Sequence, residues 1–174
     1  MCQLEWKKLL CKSRKRTSKS SVKDPSSVIA RNEFEADYDR IIGSSSVRRL
    51  QDKAQVFPLQ KNDFTRTRLT HSIEVSAMAR SLGKAVGRQL EKKIDSFSAD
   101  TTDELAALLQ TAGLIHDLGN PPFGHYGETV IREWFSQWFN SNKFLKKEVL
   151  LTDQEKKDFI FFDGNVQNLR IVTK

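Results

Sequence analysis

Apolar residues recur at helical spacing through the centre of the chain, and this spacing constrains the fold more than any other feature. In residues 71–94 the recurring positions lie three or four apart, which predicts a long helix with one inward-facing stripe. The stripe consists of His71, Val75, Met78, Leu82 and Val86. Thr70 is the expected N-cap of this helix.

Further helices follow on the same pattern. Residues 102–118 and 128–139 repeat the helical spacing, and the second of these helices presents an apolar face of Ile131, Trp134, Phe135 and Trp138. Thr152 and Glu155 form a capping box that opens a fourth helix. The triplet at residues 163–165 then separates that helix from residues 166–172. No stretch alternates apolar and polar residues between turn signals, so the sequence predicts a domain that is mostly α-helical.

Composition bounds the class of protein. The 174 residues fit about one domain, and no run approaches the ~18 apolar residues of a membrane span. The first residues lack a signal-peptide apolar core, and the two cysteines, Cys2 and Cys11, suggest no disulfide framework. We therefore expect no membrane association and a cytoplasmic location.

Positive charge is concentrated at the N-terminus. Eight of the first 24 residues are lysine or arginine, against two acidic residues. We divide the chain into a basic segment with a short helix, residues 1–27, and a main domain, residues 28–174. The basic segment is either a solvated arm or a contact for nucleic acid or nucleotide phosphates.

All three histidines fall in two short stretches, and one of them precedes an aspartate. In a last helical turn, His116 and Asp117 point about 100° apart and could reach one cation over the helix end. His71 would supply a third ligand, with Glu74 orienting it. This nitrogen and oxygen set suits Mn, Fe, Co, Ni or Zn, and Mg where substrate phosphates also bind.

His125 and Glu128 are three residues apart and share a face if their segment is helical. An imidazole oriented by a carboxylate could activate water or protonate a leaving oxygen. The alternative is a tight turn with a surface histidine. In the same segment Asn120 could cap a helix, and Gly124 would let the backbone approach a ligand closely.

Several segments together resemble the HD-domain deoxynucleoside triphosphate triphosphohydrolases, in particular bacterial dGTPases. The most specific are RTRLTHSIEV at residues 66–75, HDLGNPPFGHYGE at 116–128 and FDGNVQNLRI at 162–171. Shorter matches lie at residues 6–10, 37–42, 47–53, 55–58 and 79–81. The resemblance extends from about residue 6 to the end of the chain.

The resemblance implies an all-α HD-domain fold and cleavage of a dNTP, with dGTP favoured, into deoxynucleoside and inorganic triphosphate. It implies a divalent metal ion, Mg or Mn first, held by His71, His116 and Asp117. His125 and Glu128 would act as acid and base near the α-phosphate. The substrate-binding residues it implies are Arg68 for phosphate, Gln51 for the sugar, and Asn165, Gln167 and Arg170 around the substrate. Such proteins are commonly homo-oligomers, and some respond to a nucleotide or single-stranded DNA effector.

Two departures from the family pattern matter. Asp163 stands where the family has glutamate, and the family's fourth metal ligand, an aspartate further along, has no counterpart before Lys174. The resemblance thus implies an N-terminal fragment whose helical fold is incomplete at the C-terminus.

Two other functions stay open. One is a catalytically inactive, truncated HD protein that binds nucleotide or single-stranded DNA. The other is an HD phosphohydrolase acting on phosphodiesters or alarmone nucleotides. The residues that follow Asp117 argue against this second alternative.

Overall fold

The computed structural model describes residues 5–13, 31–55, 66–141 and 151–173. Within these ranges no strand is present, and the all-α prediction is confirmed. The helices in chain order are α1 (Trp6–Leu9), α2 (Glu33–Ile42), α3 (Ser45–Arg48), a 3-10 helix (Arg49–Asp52), α4 (Arg68–Glu91), α5 (Ala99–Ile115), α6 (Gly124–Phe139), α7 (Asp153–Ile160) and α8 (Gly164–Thr173). None of these helices has both the length and the apolar character that crossing a membrane requires.

The chain separates into two compact units. The first comprises Met1–Gly43 and Val75–Gly113, and the second comprises Ser44–Glu74 and Leu114–Lys174. The predicted boundary between residues 27 and 28 stays a prediction. Most of the predicted basic segment, residues 1–4 and 14–27, lies outside the described residues.

The first unit has a small apolar core in which the N-terminal helix takes part. Leu10, Phe34 and Ala107 are buried together, with Leu108 packed against them. The ring of Trp6 meets that of Phe97 edge to face, with centroids 5.4 Å apart. The expected short helix at the N-terminus is present, and it packs as part of this unit.

The predicted inward stripe of α4 is wrong in its C-terminal part. Met78 is 73% exposed, Leu82 61% and Val86 40%. The buried positions in this part of the helix are the small residues Ser76, Gly83 and Gly87. The spacing of large apolar residues does not indicate a buried helix face that is built from small residues.

Close approach between α4 and α5 explains why the buried face is small. A Cβ at Gly83 would lie 2.8 Å from the Cα of Ala106, which is shorter than real contacts allow. The Oγ of Ser76 donates a hydrogen bond of 2.8 Å to the carbonyl oxygen of Gln110. Backbones this close leave no room for leucine or methionine, so the large residues face outward.

The start of α4 also differs from the prediction. The helix begins at Arg68, and the Oγ1 of Thr67 accepts a 3.2 Å hydrogen bond from the amide of Thr70. Thr67 therefore caps the helix, and Thr70 lies within its first turn. The capping box of Thr152 and Glu155 at the start of α7 is confirmed.

Aromatic residues of α6 and α7 pack together in the second unit. Phe135 contacts Phe159 with ring centroids 4.5 Å apart, and Trp134 stacks on Trp138 at 5.8 Å. Trp134 is nevertheless half exposed. The sequence thus identified the apolar face of α6 but not how much of it is covered.

A pair of leucines on α4 and α5 tests the corrected orientation. Leu105 is 7% exposed and belongs to the core of the first unit, so Leu105→Ala should lower the free energy of unfolding by about 2–5 kcal/mol. Leu82→Ala should lower it by less than about 0.5 kcal/mol, because its side chain already faces solvent. Urea denaturation followed by circular dichroism measures both, and equal losses would contradict the outward orientation of Leu82.

Candidate metal centre

A short antiparallel bridge in the second unit places the first residues of the site. Ala54 pairs with Thr67, and the amide of Gln55 donates to the carbonyl oxygen of Arg66 over 3.1 Å. The amide of Arg68 donates to the carbonyl oxygen of Lys53 over 2.8 Å. Residues 53–55 therefore lie beside the start of α4, one turn before His71.

His71, His116 and Asp117 come together in the same unit. Each offers one ligand atom, and these atoms all lie within 4.8 Å of one another. The two imidazole rings have centroids 5.2 Å apart and are inclined by 70°. This cluster is the one group of three or more metal-ligating side chains within the described ranges.

His116 and Asp117 do not lie in the last turn of the helix, as the sequence predicted. α5 ends at Ile115, and both residues occupy the turn that follows. Backbone hydrogen bonds close this turn, from Leu118 to Ile115 over 3.0 Å and from Asn120 to Asp117 over 3.2 Å. Leaving the helix frees the two side chains from the 100° separation that a helix imposes.

Two neighbours fix the carboxylate of Asp117. Its Oδ2 accepts a 2.8 Å hydrogen bond from Nη1 of Arg68, and its Oδ1 accepts a 2.6 Å bond from Nδ2 of Asn120. Asp117 is 7% exposed, and Arg68 is buried as well. The side chain of Asn120 therefore orients a candidate metal ligand, and the helix-capping role predicted for it is wrong.

The residues of this cluster fit a divalent cation. Two imidazole nitrogens and one carboxylate oxygen form a donor set common to Mn, Fe, Co, Ni and Zn sites. The guanidinium of Arg68 pairs with this carboxylate. Three such ligands would leave coordination positions open to substrate or water.

His125 and Glu128 form the second part of the site. The Nδ1 of His125 lies 3.1 Å from Oε2 of Glu128, while Oε1 accepts a 2.8 Å hydrogen bond from the amide of Gly164. Glu128 is buried, whereas the imidazole side chain is 90% exposed. A fixed carboxylate thus holds one nitrogen of a ring whose other nitrogen faces outward.

A sharp turn precedes His125. Phe123 has φ 65° and Gly124 has φ 56°, and the phenylalanine is the sole non-glycine residue with positive φ in the described part of the chain. Such a conformation costs a non-glycine residue on the order of 1–3 kcal/mol. A Cβ at Gly124 would lie 2.8 Å from Nη2 of Arg68. The turn thereby brings the first residue of α6 against the arginine that holds Asp117.

A pocket of about 740 Å³ opens beside this turn. Among the residues predicted to bind metal or substrate or to transfer protons, Arg68, Asp117 and His125 line it. The remaining lining residues are Asp52, Lys53, Ala54, Gln55, Asn120, Pro122, Phe123, Gly124 and Tyr126. His71, His116 and Glu128 contribute to the site but do not line this pocket.

Gln55 is a lining residue that the sequence analysis did not single out. Its Oε1 is buried and has no hydrogen-bond partner within the described residues. Gln51, the glutamine named for sugar recognition, is exposed and does not line the pocket. The bridge between Ala54 and Thr67 places Gln55, and not Gln51, at the pocket. No local sequence pattern indicates this bridge.

The three substrate-binding candidates on α8 lie apart from this pocket. Gln167 and Arg170 line a second pocket of about 470 Å³, and Asn165 is exposed. α8 contributes to the centre through its first residue, because the amide of Gly164 binds Glu128. Contact of Asn165, Gln167 and Arg170 with substrate stays a prediction.

Comparison with known families identifies this arrangement. The sequence model of the HD domain family matches residues 68–161, which include all five metal and acid–base candidates. The chain belongs to the HD domain family. Within the matched region, helix α4 supplies the candidate ligand His71, and the turn after α5 supplies the candidates His116 and Asp117.

Relatives of this chain are named deoxyguanosinetriphosphate triphosphohydrolase or deoxyguanosinetriphosphate triphosphohydrolase-like protein. The chain is 49% identical to a deoxyguanosinetriphosphate triphosphohydrolase-like protein of Listeria innocua and 44% identical to one of Synechocystis, each over 98% of its length. It is 38% identical, over 80% of its length, to a deoxyguanosinetriphosphate triphosphohydrolase of Salmonella paratyphi A. The aligned part covers 37%, 37% and 32% of these relatives, respectively, so the HD domain described here spans about a third of their length.

The contact between Gly164 and Glu128 can be tested by adding one methyl group. In Gly164→Ala the new Cβ would lie 2.2 Å from Oδ1 of Asn120 and 2.8 Å from Oε1 of Glu128. We expect a loss of about 1–3 kcal/mol in the free energy of unfolding. Val166→Ala, at an exposed position of the same helix, should change it by less than about 0.5 kcal/mol. Urea denaturation checks both, and an unchanged Gly164→Ala variant would show that α8 does not pack against Glu128.

Proposed function

We propose that this HD domain serves metal-dependent hydrolysis of a deoxynucleoside triphosphate, with dGTP favoured, to a deoxynucleoside and inorganic triphosphate. The observation that carries the proposal is the convergence of His71, His116 and Asp117, whose ligand atoms lie within 4.8 Å of one another. Asp117 also lines a pocket with two cationic side chains, Lys53 and Arg68. The names of the relatives favour the same reaction.

The three ligands would hold a divalent cation, with Mg or Mn favoured. When bound, such an ion polarises a phosphoryl oxygen and makes water a stronger nucleophile. Arg68 fixes one oxygen of Asp117, and Asn120 fixes the other. These two contacts present the carboxylate to the cation in one orientation.

His125 and Glu128 would handle the proton of the reaction. Glu128 accepts from Nδ1 of His125, which favours the tautomer whose Nε2 is free to take a proton. Water would add to the α-phosphorus, the bond from that phosphorus to the 5′ oxygen would break, and the 5′ oxygen would leave with a proton. One imidazole can serve both proton transfers because its exposed nitrogen can first accept and then donate.

A further ligand would come from outside the aligned region. The family resemblance implies an aspartate beyond Lys174, and the relatives named above are about three times as long as this chain. We propose that a full-length protein completes the site with that aspartate. Assembly into a homo-oligomer and regulation by a nucleotide or single-stranded DNA belong to the same full-length proposal.

A pair of histidine variants separates metal binding from proton transfer. His116→Ala removes a proposed ligand, and we expect Mn²⁺ affinity to fall by more than about 100-fold, beyond the usual cost of losing an outer partner of a ligand. His125→Ala should leave Mn²⁺ affinity intact and lower turnover by about 10²–10⁴-fold. Mn²⁺ binding is measured by electron paramagnetic resonance, and triphosphate release from dGTP by ion-exchange chromatography.

The outcomes are distinguishable. Unchanged Mn²⁺ affinity in His116→Ala would remove the metal assignment, and loss of Mn²⁺ in His125→Ala would remove the division of roles. Binding of Mn²⁺ and dGTP without triphosphate release, in this chain and in the full-length protein, would favour the inactive nucleotide-binding module instead.

A further inference from the structure

Lys53 has no role in the site as described so far, although two contacts hold it in place. Its carbonyl oxygen accepts from the amide of Arg68, and its Nζ donates to the carbonyl oxygen of Asn120, each over 2.8 Å. It lines the 740 Å³ pocket together with His125. The residue is therefore held through both its backbone and its side chain beside the candidate reaction site.

The charge of Lys53 is not offset by a carboxylate. No acidic group of the described residues forms an ion pair with it, and Asp52, which also lines the pocket, is not within pairing distance. Its partner oxygen on Asn120 is neutral and takes one of the three donors of an ammonium group. A full positive charge and two donors are left for an anion in the pocket.

Arg68 is in the opposite situation. Its guanidinium pairs with Asp117 over 2.8 Å, and both side chains are almost fully buried. The positive charge of the arginine is thus largely cancelled by the carboxylate that it orients. Although the resemblance names Arg68 as the phosphate contact, Lys53 is the cation of this pocket with charge to spare.

The surroundings of Lys53 also disfavour a positive charge that has no anionic partner. Burial lowers the pKa of Lys53, and the positive charges of Arg68 and Arg49 lower it further, against a smaller opposing effect of Asp117. Clustered cations that are partly removed from water repel one another unless an anion joins them. A ligand with several negative charges would remove that repulsion.

We propose that Lys53 binds the phosphate chain of the substrate and so supplies the main cationic contact of the pocket. The inference rests on the proposed function in taking a triphosphate as ligand, yet it concerns binding and not turnover. The contact of Lys53 with Asn120 places an ammonium group beside the turn that carries His116 and Asp117. Phosphate recognition and metal binding would therefore meet at one short segment.

The test uses this chain and inorganic triphosphate without divalent metal, so that it does not depend on the metal centre. Isothermal titration calorimetry should show that Lys53→Met weakens triphosphate binding by about tenfold or more, the usual effect of losing a charged hydrogen bond. Lys157→Met removes an equal charge at an exposed position of the same unit and should change affinity by less than about twofold. Lys53→Arg should retain binding.

A second measurement separates recognition from a structural role. The loss in Lys53→Met should be larger for triphosphate than for dGMP, and Mn²⁺ affinity should remain that of the unaltered chain. An equal loss for all ligands, including Mn²⁺, would assign Lys53 to holding the turn through Asn120 and would overturn the proposal.

Three further outcomes would also overturn it: no triphosphate bound by the unaltered chain, binding to Lys53→Met within about twofold of normal, or an equal loss in Lys157→Met. Failure of the hydrolysis proposal has a different signature. Triphosphate binding would then depend on Lys53 while dGTP yields no triphosphate.

Discussion

The buried pair of Arg68 and Asp117 is the interaction on which the rest of the site depends. A carboxylate that is 7% exposed needs a polar partner, and the 2.8 Å hydrogen bond from Nη1 of Arg68 supplies it. Removing one member of such a pair costs about 3–5 kcal/mol because the other charge is left buried alone. The pair therefore ties the start of α4 to the turn after α5 and sets the positions of His71 and His116.

Asn120 connects this pair to the rest of the pocket. Its side chain donates to Asp117, its carbonyl oxygen accepts from Lys53, and its Oδ1 lies against Gly164 at the start of α8. One residue thus contacts the metal centre, the proposed phosphate site and the helix that fixes Glu128. A turn with so many partners has little freedom to move, which favours a preorganised centre.

The accuracy of the sequence-based predictions depended on the kind of feature. Helical periodicity predicted that helices exist, but it placed Met78, Leu82 and Val86 of α4 inside, whereas they face outward. Periodicity measures hydrophobicity, and this helix is buried through small residues that let two backbones approach. Where large aromatic residues such as Phe135 and Phe159 carry the packing, the periodicity located the packed face.

The sequence by itself determined that the chain is helical, and it predicted which side chains could ligate a metal and which pair could move a proton. These properties follow from residue type and local spacing, both of which can be read directly from the amino-acid sequence. The tertiary structure alone decided that Arg68 holds Asp117, that Gly164 holds Glu128, and that Lys53 and Gln55 enter the pocket while Gln51 does not. These contacts join residues distant in sequence, and they depend on where the chain turns, which no local pattern records.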